Sequence, residues 1–206
     1  MPTLAPTKIV CVGRNYAAHA KELGNSVPKE PLLFLKPPSS LIRSGESIRL
    51  PTVSNQVEYE GEIGVVIGRR LRKVSPDEAR GAIASVCAAN DVTARDLQKS
   101  DVQFTRAKGF DTFCAVGELA DVPEDLAALR IRTLVNGQVR QDGQSSDMVF
   151  DIPTLISFIS GVMTLEAGDL VLTGTPAGVG TLTSGDVVEV EIAGVSRVSN
   201  PVTNDV

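Results

Sequence analysis

The chain has 206 residues, 42% of them hydrophobic and 22% charged, which is typical of a soluble globular protein and predicts a single folded domain. Its net charge of −5 and its 4% of aromatic residues exclude the basic, stacking surface that most nucleic-acid-binding proteins need. No apolar run approaches the length of a membrane span, so we expect neither a nucleic-acid partner nor a membrane partner.

The first 50 residues are predicted to hold strands on either side of one helix. Residues 8–12 form an apolar strand pattern, and Asn15 is placed to cap a helix over 16–23 that Gly24 would end. Further short strands at 32–35 and 47–50 lie among proline, serine and glycine residues. We expect this segment to form a flexible flap on the rest of the domain.

The remaining residues alternate between strands and short helices. An alternating pattern that becomes wholly apolar predicts one strand over 57–67, and Asn136-Gly137 between two alternating runs is a strong β-hairpin signal. Helices are predicted from Ser75-Pro76, over 93–100 and over 152–160, and other strands over 131–135, 138–141, 170–173 and 187–192. We therefore predict one mixed α/β, β-rich domain over residues 1–206.

The cysteines carry no sign of a disulfide framework or a zinc site. Cys11, Cys87 and Cys114 are odd in number, widely spaced and surrounded by apolar residues, which predicts buried structural thiols. The first seven residues also lack the basic and apolar pattern of a secretory signal. Both observations favour a cytoplasmic location.

Three acidic residues alternate in the predicted strand 57–67. Glu58, Glu60 and Glu62 would share one face of that strand, where adjacent like charges are destabilising. A hard cation such as Mg²⁺ or Mn²⁺ removes that repulsion, because both ions prefer oxygen ligands. A solvated strand face explains the same spacing without any ion.

A second Glu-x-Glu pair in the chain helps to choose between these interpretations. Glu189 and Glu191 alternate with apolar residues, which predicts an ordinary strand with its acidic face in solvent. Glu60 and Glu62 are instead separated by Gly61 and followed by a wholly apolar run. That context places them at the edge of the core, where unpaired carboxylates need a partner.

Four polar residues follow the apolar stretch 82–89. Asp91 could be delivered by a strand to the acidic site, or could cap the predicted helix 93–100, and both roles can coexist. Arg95 and Gln98 are three residues apart on that helix, and a guanidinium suits bidentate binding of a carboxylate. Lys108, flanked by aromatic residues, could stabilise an enolate or lie at the surface.

The only histidine of the chain, His19, lies three residues before Glu22 on the first predicted helix. A carboxylate that orients an imidazole makes a general base near neutral pH, although an ordinary surface pair gives the same spacing. The glycine-rich segment 173–180 lacks the phosphate-loop and dinucleotide patterns. Its backbone N–H groups and threonine hydroxyls, including that of Thr175, could bind a carboxylate.

Together these residues resemble the fumarylacetoacetate hydrolase family, in particular its short acylpyruvase and oxaloacetate-decarboxylase-like members. The resemblance covers nearly the whole chain in order. It includes Gly13-Arg14-Asn15-Tyr16 with His19 and Glu22, Phe34-Leu35-Lys36-Pro37, Tyr59-Glu60-Gly61-Glu62, Asn90-Asp91-Val92-Thr93-Ala94-Arg95-Asp96, Lys108, Thr173-Gly174-Thr175-Pro176 and Asn200-Pro201-Val202.

The resemblance implies a β-rich sandwich roll, a homodimer, and Mg²⁺ or Mn²⁺ held by Glu60, Glu62 and Asp91. It further implies a His19–Glu22 dyad on a helical lid at 15–24. Substrate contacts or charge stabilisation are implied for Arg95, Gln98, Lys108 and Thr175, whereas Lys36 lies in a family motif without an assigned contact.

Three related reactions are open to such a site. Our first expectation is hydrolysis of a carbon–carbon bond in an acylpyruvate, with His19 activating water and Lys108 stabilising the pyruvate enolate. Oxaloacetate decarboxylation and keto–enol tautomerisation pass through closely related enolates and are the alternatives. A non-catalytic dimer that binds small dicarboxylates is the remaining hypothesis.

Overall fold

The computed structural model describes residues 4–205, and strands dominate it. The strands are β1 (Ile9–Gly13), β2 (Leu32–Lys36), β3 (Leu41–Arg43), β4 (Ile48–Leu50), β5 (Val57–Tyr59), β6 (Gly61–Ile67), β7 (Ile83–Asp91), β8 (Thr93–Ala94), β9 (Cys114–Val116), β10 (Arg130–Val135), β11 (Gln138–Gln144), β12 (Leu170–Leu172), β13 (Gly180–Thr181), β14 (Val187–Ile192) and β15 (Ser196–Asn204). The helices are α1 (Ala17–Glu22), α2 (Pro76–Arg80), α3 (Arg95–Ser100), α4 (Thr105–Lys108) and α5 (Ile152–Val162). This composition confirms the predicted mixed α/β, β-rich class.

The strands form three sheets. A seven-stranded sheet has the order β2-β1-β12-β6-β7-β9-β3, and a five-stranded sheet has the order β11-β10-β14-β15-β4. One hydrophobic core contains Val65 and Ala88 from the first sheet together with Val190 and Val198 from the second. The two sheets therefore pack face to face as a sandwich. The third sheet has the order β13-β5-β8, and its central strand β5 directly precedes β6 in the chain, with only Glu60 between them.

The seven-stranded sheet is buried on both faces. Alternate residues of its strands point away from the main core into a second apolar cluster, which includes Cys11, Cys87 and Cys114. All three thiols are free and buried, as predicted. Burial raises the pKa of Cys87 and of Cys114 to about 12, so neither thiol is a ready nucleophile at neutral pH.

Several local predictions are confirmed. Asn136 and Gly137 both have positive φ angles, 52° and 76°, and connect β10 to β11 as a hairpin. Ser75 and Glu78 form a capping box at the start of α2. Helix α5 begins one residue after Asp151, whose carboxylate accepts a hydrogen bond from Thr154 N–H at 2.8 Å. Within residues 4–205, no helix is long and apolar enough to cross a membrane.

The predicted flap is wrong for most of the first 50 residues. Strand β1 pairs in parallel with β12 and antiparallel with β2. This segment supplies β1, β2 and β3 to the large sheet and β4 to the five-stranded sheet. Asn15 does not cap α1; its side-chain amide donates to the carbonyls of Thr173 and Phe150, and its Oδ1 accepts from Phe150 N–H. A buried asparagine with these long-range partners joins three chain segments, which local sequence cannot show.

Two further predictions need correction at the acidic residues. The single strand predicted over 57–67 is interrupted at Glu60, and β5 and β6 belong to different sheets. The helix predicted over 93–100 begins at Arg95, because Thr93 and Ala94 pair with β5. Asp91 is therefore not a helix cap and ends strand β7 instead.

Gly61 allows β6 to approach the five-stranded sheet closely. A Cβ at this position would lie 2.0 Å from the hydroxyl oxygen of Thr133 and 3.2 Å from Gln141 Oε1. We expect Gly61→Ala to lower the free energy of unfolding by about 1 to 3 kcal/mol, since overpacking a buried contact forces neighbouring groups to move. Urea unfolding of the purified variant measures this loss.

The contact with Thr133 can be isolated by a second substitution. Thr133 is fully buried, and its hydroxyl has no hydrogen-bond partner in the described part of the chain, so Thr133→Ala removes the clashing oxygen without breaking a bond seen there. Gly61→Ala should cost less in the Thr133→Ala background than in the wild type. An equal cost in both backgrounds would contradict this explanation.

Candidate functional site

Three carboxylates meet where the sheets join. Glu60 lies between β5 and β6, Glu62 is on β6, and Asp91 ends the neighbouring strand β7. One oxygen from each lies within 4.8 Å of the others, and all three residues are buried. The predicted convergence of these residues is thus present, and Glu60 lies at the interruption between strands β5 and β6.

Two buried lysines bind the same carboxylates. Lys108 Nζ donates to Glu60 Oε2 at 2.8 Å and to Asp91 Oδ2 at 2.7 Å. Lys36 Nζ donates to Asp91 Oδ1 at 2.6 Å and to the carbonyl of Val92 at 3.0 Å. Burial lowers the pKa of Lys108, but the charges of Asp91 and Glu60 outweigh it and hold the pKa above its usual range. Lys108 is therefore a fixed positive charge rather than a base.

Arg95 is the third buried cation of the cluster, after the two lysines. Its Nε donates to Glu58 at 2.8 Å, one terminal nitrogen bonds Glu60, and the other bonds the side-chain oxygen of Gln98. All three partners are groups of the protein, whereas the sequence predicted that this guanidinium would bind the carboxylate of a ligand. In this structure Arg95 and Gln98 lie beside the acidic residues and hold them in place.

With every carboxylate ionised, the cluster would carry one more negative charge than positive charge. Glu58, Glu60, Glu62 and Asp91 are four buried carboxylates, whereas Lys36, Arg95 and Lys108 are three buried cations. Glu62 has no cationic partner within residues 4–205 and accepts only the backbone N–H of Gly174, at 2.7 Å.

The pKa shifts follow from this unequal pairing. Burial raises the pKa of Glu60, but the charges of Lys108 and Arg95 outweigh it and hold that pKa well below its usual range. Burial, followed by the charges of Asp91 and Glu60, raises the pKa of Glu62 well above its usual range. An all-oxygen donor set with an excess negative charge fits a hard divalent cation, so Glu60, Glu62 and Asp91 are suited to hold Mg²⁺ or Mn²⁺.

The predicted His19–Glu22 pair is present on α1. His19 Nδ1 lies 3.3 Å from Glu22 Oε2, and His19 is buried. The Glu22 carboxylate also accepts the backbone N–H of Gly178, at 3.0 and 3.2 Å from its two oxygens. A carboxylate anchored in this way fixes the orientation of the imidazole ring.

The glycine-rich segment 173–180 binds carboxylates of the protein itself. Gly174 N–H bonds Glu62, and Gly178 N–H bonds Glu22, so this segment contacts both the acidic cluster and the dyad. Gly174 has a φ of +101°, and a Cβ there would lie 2.7 Å from the Cβ of Asn15. Thr175 accepts a hydrogen bond from Gln141 Nε2 at 2.7 Å, which leaves its own hydroxyl proton available.

A cavity of about 280 Å³ connects these groups. Seven of the nine predicted site residues line it: His19, Glu60, Glu62, Arg95, Gln98, Lys108 and Thr175. Asp91 is fully buried, and Glu22 contacts the cavity residue His19. The structure therefore brings all nine into one connected region.

Three residues of this region, Lys36, Glu58 and Gln141, were not predicted as site residues. Lys36 was left without a contact, yet it is fully buried and bonded to Asp91. Glu58 and Gln141 hold Arg95 and Thr175 respectively, and Gln141 Oε1 also accepts Gly61 N–H at 2.9 Å. A glutamine in an otherwise exposed hairpin strand gives no local sign of burial, since its partners lie far away in the sequence.

Known proteins match this chain over almost its full length. The model of the fumarylacetoacetate (FAA) hydrolase C-terminal family matches residues 8–203. The mitochondrial oxaloacetate tautomerase FAHD1 of Arabidopsis thaliana is 46% identical over 93% of this chain and 89% of its own. The mitochondrial oxaloacetate decarboxylase of Dictyostelium discoideum is 44% identical over 91% of this chain and 89% of its own.

A solved structure is also similar to this chain, both in sequence and in fold. The 5-carboxymethyl-2-hydroxymuconate delta-isomerase from Mycobacterium smegmatis superimposes with a TM-score of 0.91, at 43% identity over 98% of this chain and 81% of that one. A TM-score this high means that the two proteins share the sandwich fold described above. The chain therefore belongs to the fumarylacetoacetate hydrolase family.

Proposed function

We propose that this protein interconverts the keto and enol forms of an oxaloacetate-type 2-oxo acid. The observation that carries the proposal is the placement of an oriented imidazole, His19, in the same cavity as the carboxylates of Glu60 and Glu62. The names of the relatives support the substrate class, because they include an oxaloacetate tautomerase and an oxaloacetate decarboxylase.

The residues divide the work of this reaction between charge and proton transfer. When bound to the acidic cluster, Mg²⁺ or Mn²⁺ would supply a positive charge that polarises a 2-oxo carbonyl. His19, held by Glu22, takes the proton from C3 of the acid and returns it to the 2-oxygen, so this step needs neither water nor a second acid. Lys108 keeps a permanent positive charge at the cavity wall, which favours the developing enolate.

Tautomerisation thus replaces acylpyruvate hydrolysis, the reaction expected from the sequence, as the first candidate, because the names of the relatives favour oxaloacetate chemistry. Hydrolysis is the second candidate, because the His19–Glu22 pair could equally orient a water molecule. Product analysis separates the three reactions. Enol formation without pyruvate indicates tautomerisation, pyruvate with carbon dioxide indicates decarboxylation, and pyruvate with a second carboxylic acid indicates hydrolysis of an acylpyruvate.

We expect His19→Gln to lower kcat for oxaloacetate tautomerisation by about 10²- to 10⁴-fold, the usual contribution of a general base. Steady-state kinetics with Mg²⁺ present measures the loss. Lys21→Gln is the matched control, since Lys21 is exposed on the same helix and does not line the cavity. Wild-type turnover in His19→Gln, with Lys21→Gln also active, would exclude His19 as the base.

A further inference from the structure

Arg14 occupies an unusual place at the end of β1. Its φ is 59°, in the left-handed region that costs a residue with a side chain roughly 1 to 2 kcal/mol. The residue that follows, Asn15, is fully buried and bonded to Thr173 and Phe150, so the backbone on that side is fixed. Strand β1 fixes the other side. The half-buried Arg14 is thereby presented to the cavity.

Among the described residues, Arg14 forms no ion pair, unlike two other cations that line the cavity. Arg95 and Lys108 also line the cavity, but both are bound to protein carboxylates. Within residues 4–205, neither Arg14 nor Lys99 has an acidic partner, and Lys99 is exposed on α3. The half-buried Arg14 lines the same cavity as the apolar side chains of Leu32 and Phe34, and it has no counter-ion among the described residues.

Arg14 is also separate from the acidic cluster. An Arg14 nitrogen within 4.0 Å of Glu60 or Glu62 would form an ion pair, and among the described residues the only guanidinium that pairs with either is that of Arg95. The cavity therefore offers two regions of different chemistry: the carboxylates, with their excess negative charge, and a cationic region at Arg14. A ligand that bridges them must carry an anionic group beyond its 2-oxo acid head.

We propose that Arg14 binds the distal carboxylate of the substrate and so makes the site selective for 2-oxo dicarboxylic acids. This inference rests on the proposed function and specifies its substrate class. The planar guanidinium matches a carboxylate with two parallel hydrogen bonds, which a lysine cannot reproduce. The strained backbone is consistent with such a role, because strain of this kind is retained where it positions a functional group.

The test compares oxaloacetate with its 4-ethyl ester, which retains the reacting carbons but lacks the distal charge. In Arg14→Asn, the ratio of kcat/KM for the diacid to that for the ester should fall about 10- to 100-fold, mainly through KM. Asparagine is chosen because it tolerates a positive φ. Arg14→Lys should recover only part of the ratio.

Lys73→Asn is the matched control. Lys73 also has a positive φ, 53°, but it is exposed and does not line the cavity. This variant loses the same charge from the same backbone conformation, and its ratio should equal that of the wild type. An unchanged ratio in Arg14→Asn would overturn the proposal, as would a fall of the ratio in Lys99→Ala but not in Arg14→Asn.

Failure of the proposed reaction would be seen separately. If the wild type turns over neither compound, the same pair is compared by thermal-shift titration with Mg²⁺ present. Greater stabilisation by oxaloacetate than by its ester, lost in Arg14→Asn but kept in Lys73→Asn, would support the assignment of Arg14 even without turnover. Equal stabilisation of wild type and Arg14→Asn by both compounds would overturn it.

Discussion

Replacing Asp91 with asparagine is expected to lower the free energy of unfolding by about 3 to 5 kcal/mol. Asp91 is fully buried and accepts hydrogen bonds from Lys36 at 2.6 Å and from Lys108 at 2.7 Å. The amide is similar in size but neutral, so it leaves Lys36 charged, buried and without an anionic partner. Urea unfolding followed by circular dichroism measures the change.

A second substitution tests the cause of that loss. In the Asp91→Asn background, Lys36→Met removes the unpaired charge while keeping most of the buried side-chain volume, so part of the stability should return. Asp142→Asn is a control for carboxylate loss in general, because Asp142 pairs with Arg130 at the protein surface. If Asp142→Asn lowered the free energy of unfolding as much as Asp91→Asn does, burial of the ion pair would not be the cause of the loss.

Glu62→Gln is expected to have the opposite profile, with a large effect on activity and none on folding. Glu62 has no cationic partner among the described residues, and its bond from Gly174 N–H can be kept by the glutamine oxygen. Burial and the charges of Asp91 and Glu60 already disfavour its ionised form. Without metal, the variant should therefore be at least as stable as the wild type.

The activity of Glu62→Gln should fall on the order of 10³-fold, since the loss of one anionic ligand removes several kcal/mol of charge stabilisation. We expect Mg²⁺ to raise the melting temperature of the wild type but not that of Glu62→Gln. Chelator treatment of the wild type should reproduce the loss of activity, and added Mg²⁺ or Mn²⁺ should restore it. Undiminished catalysis by the chelated wild type would refute the proposed role of the acidic cluster.

The two substitutions differ although both residues belong to one acidic cluster. Asp91 is paired with buried lysines and supports the fold, whereas Glu62 has no cationic partner among the described residues. No sequence pattern distinguishes them, because the partners of Asp91 lie 55 and 17 residues away. Pairing across such distances depends on the order of strands in the sheet.

Short-range features of the fold were predictable from sequence for clear physical reasons. The hairpin at Asn136-Gly137 needs two residues that accept positive φ, and the capping box at Ser75 satisfies backbone groups within one turn. Outward-facing Glu189 and Glu191 were recognised from the apolar residues between them, and each pairs with an arginine on a neighbouring strand. All of these signals depend on residues close in sequence.

The errors arose where distant contacts override local preference. Asparagine is favoured at helix N-caps, but the side-chain amide of Asn15 donates hydrogen bonds to carbonyls 135 and 158 residues away. The run 57–67 reads as one strand, yet Glu60 turns toward Lys108 and Arg95, and the chain passes from one sheet to another. The alternation of the acidic side chains does not show this passage between sheets, because it depends on which distant strands pair with each half.

The segment 173–180 has a consequence for how this protein can change during evolution. Most connections between strands accept extra residues at little cost. Here, amide groups only four positions apart donate hydrogen bonds to two different glutamates, Glu62 in the acidic cluster and Glu22 beside the imidazole of His19. An insertion between Gly174 and Gly178 would disturb the relative placement of both halves at once, so variation in length is expected elsewhere on the surface.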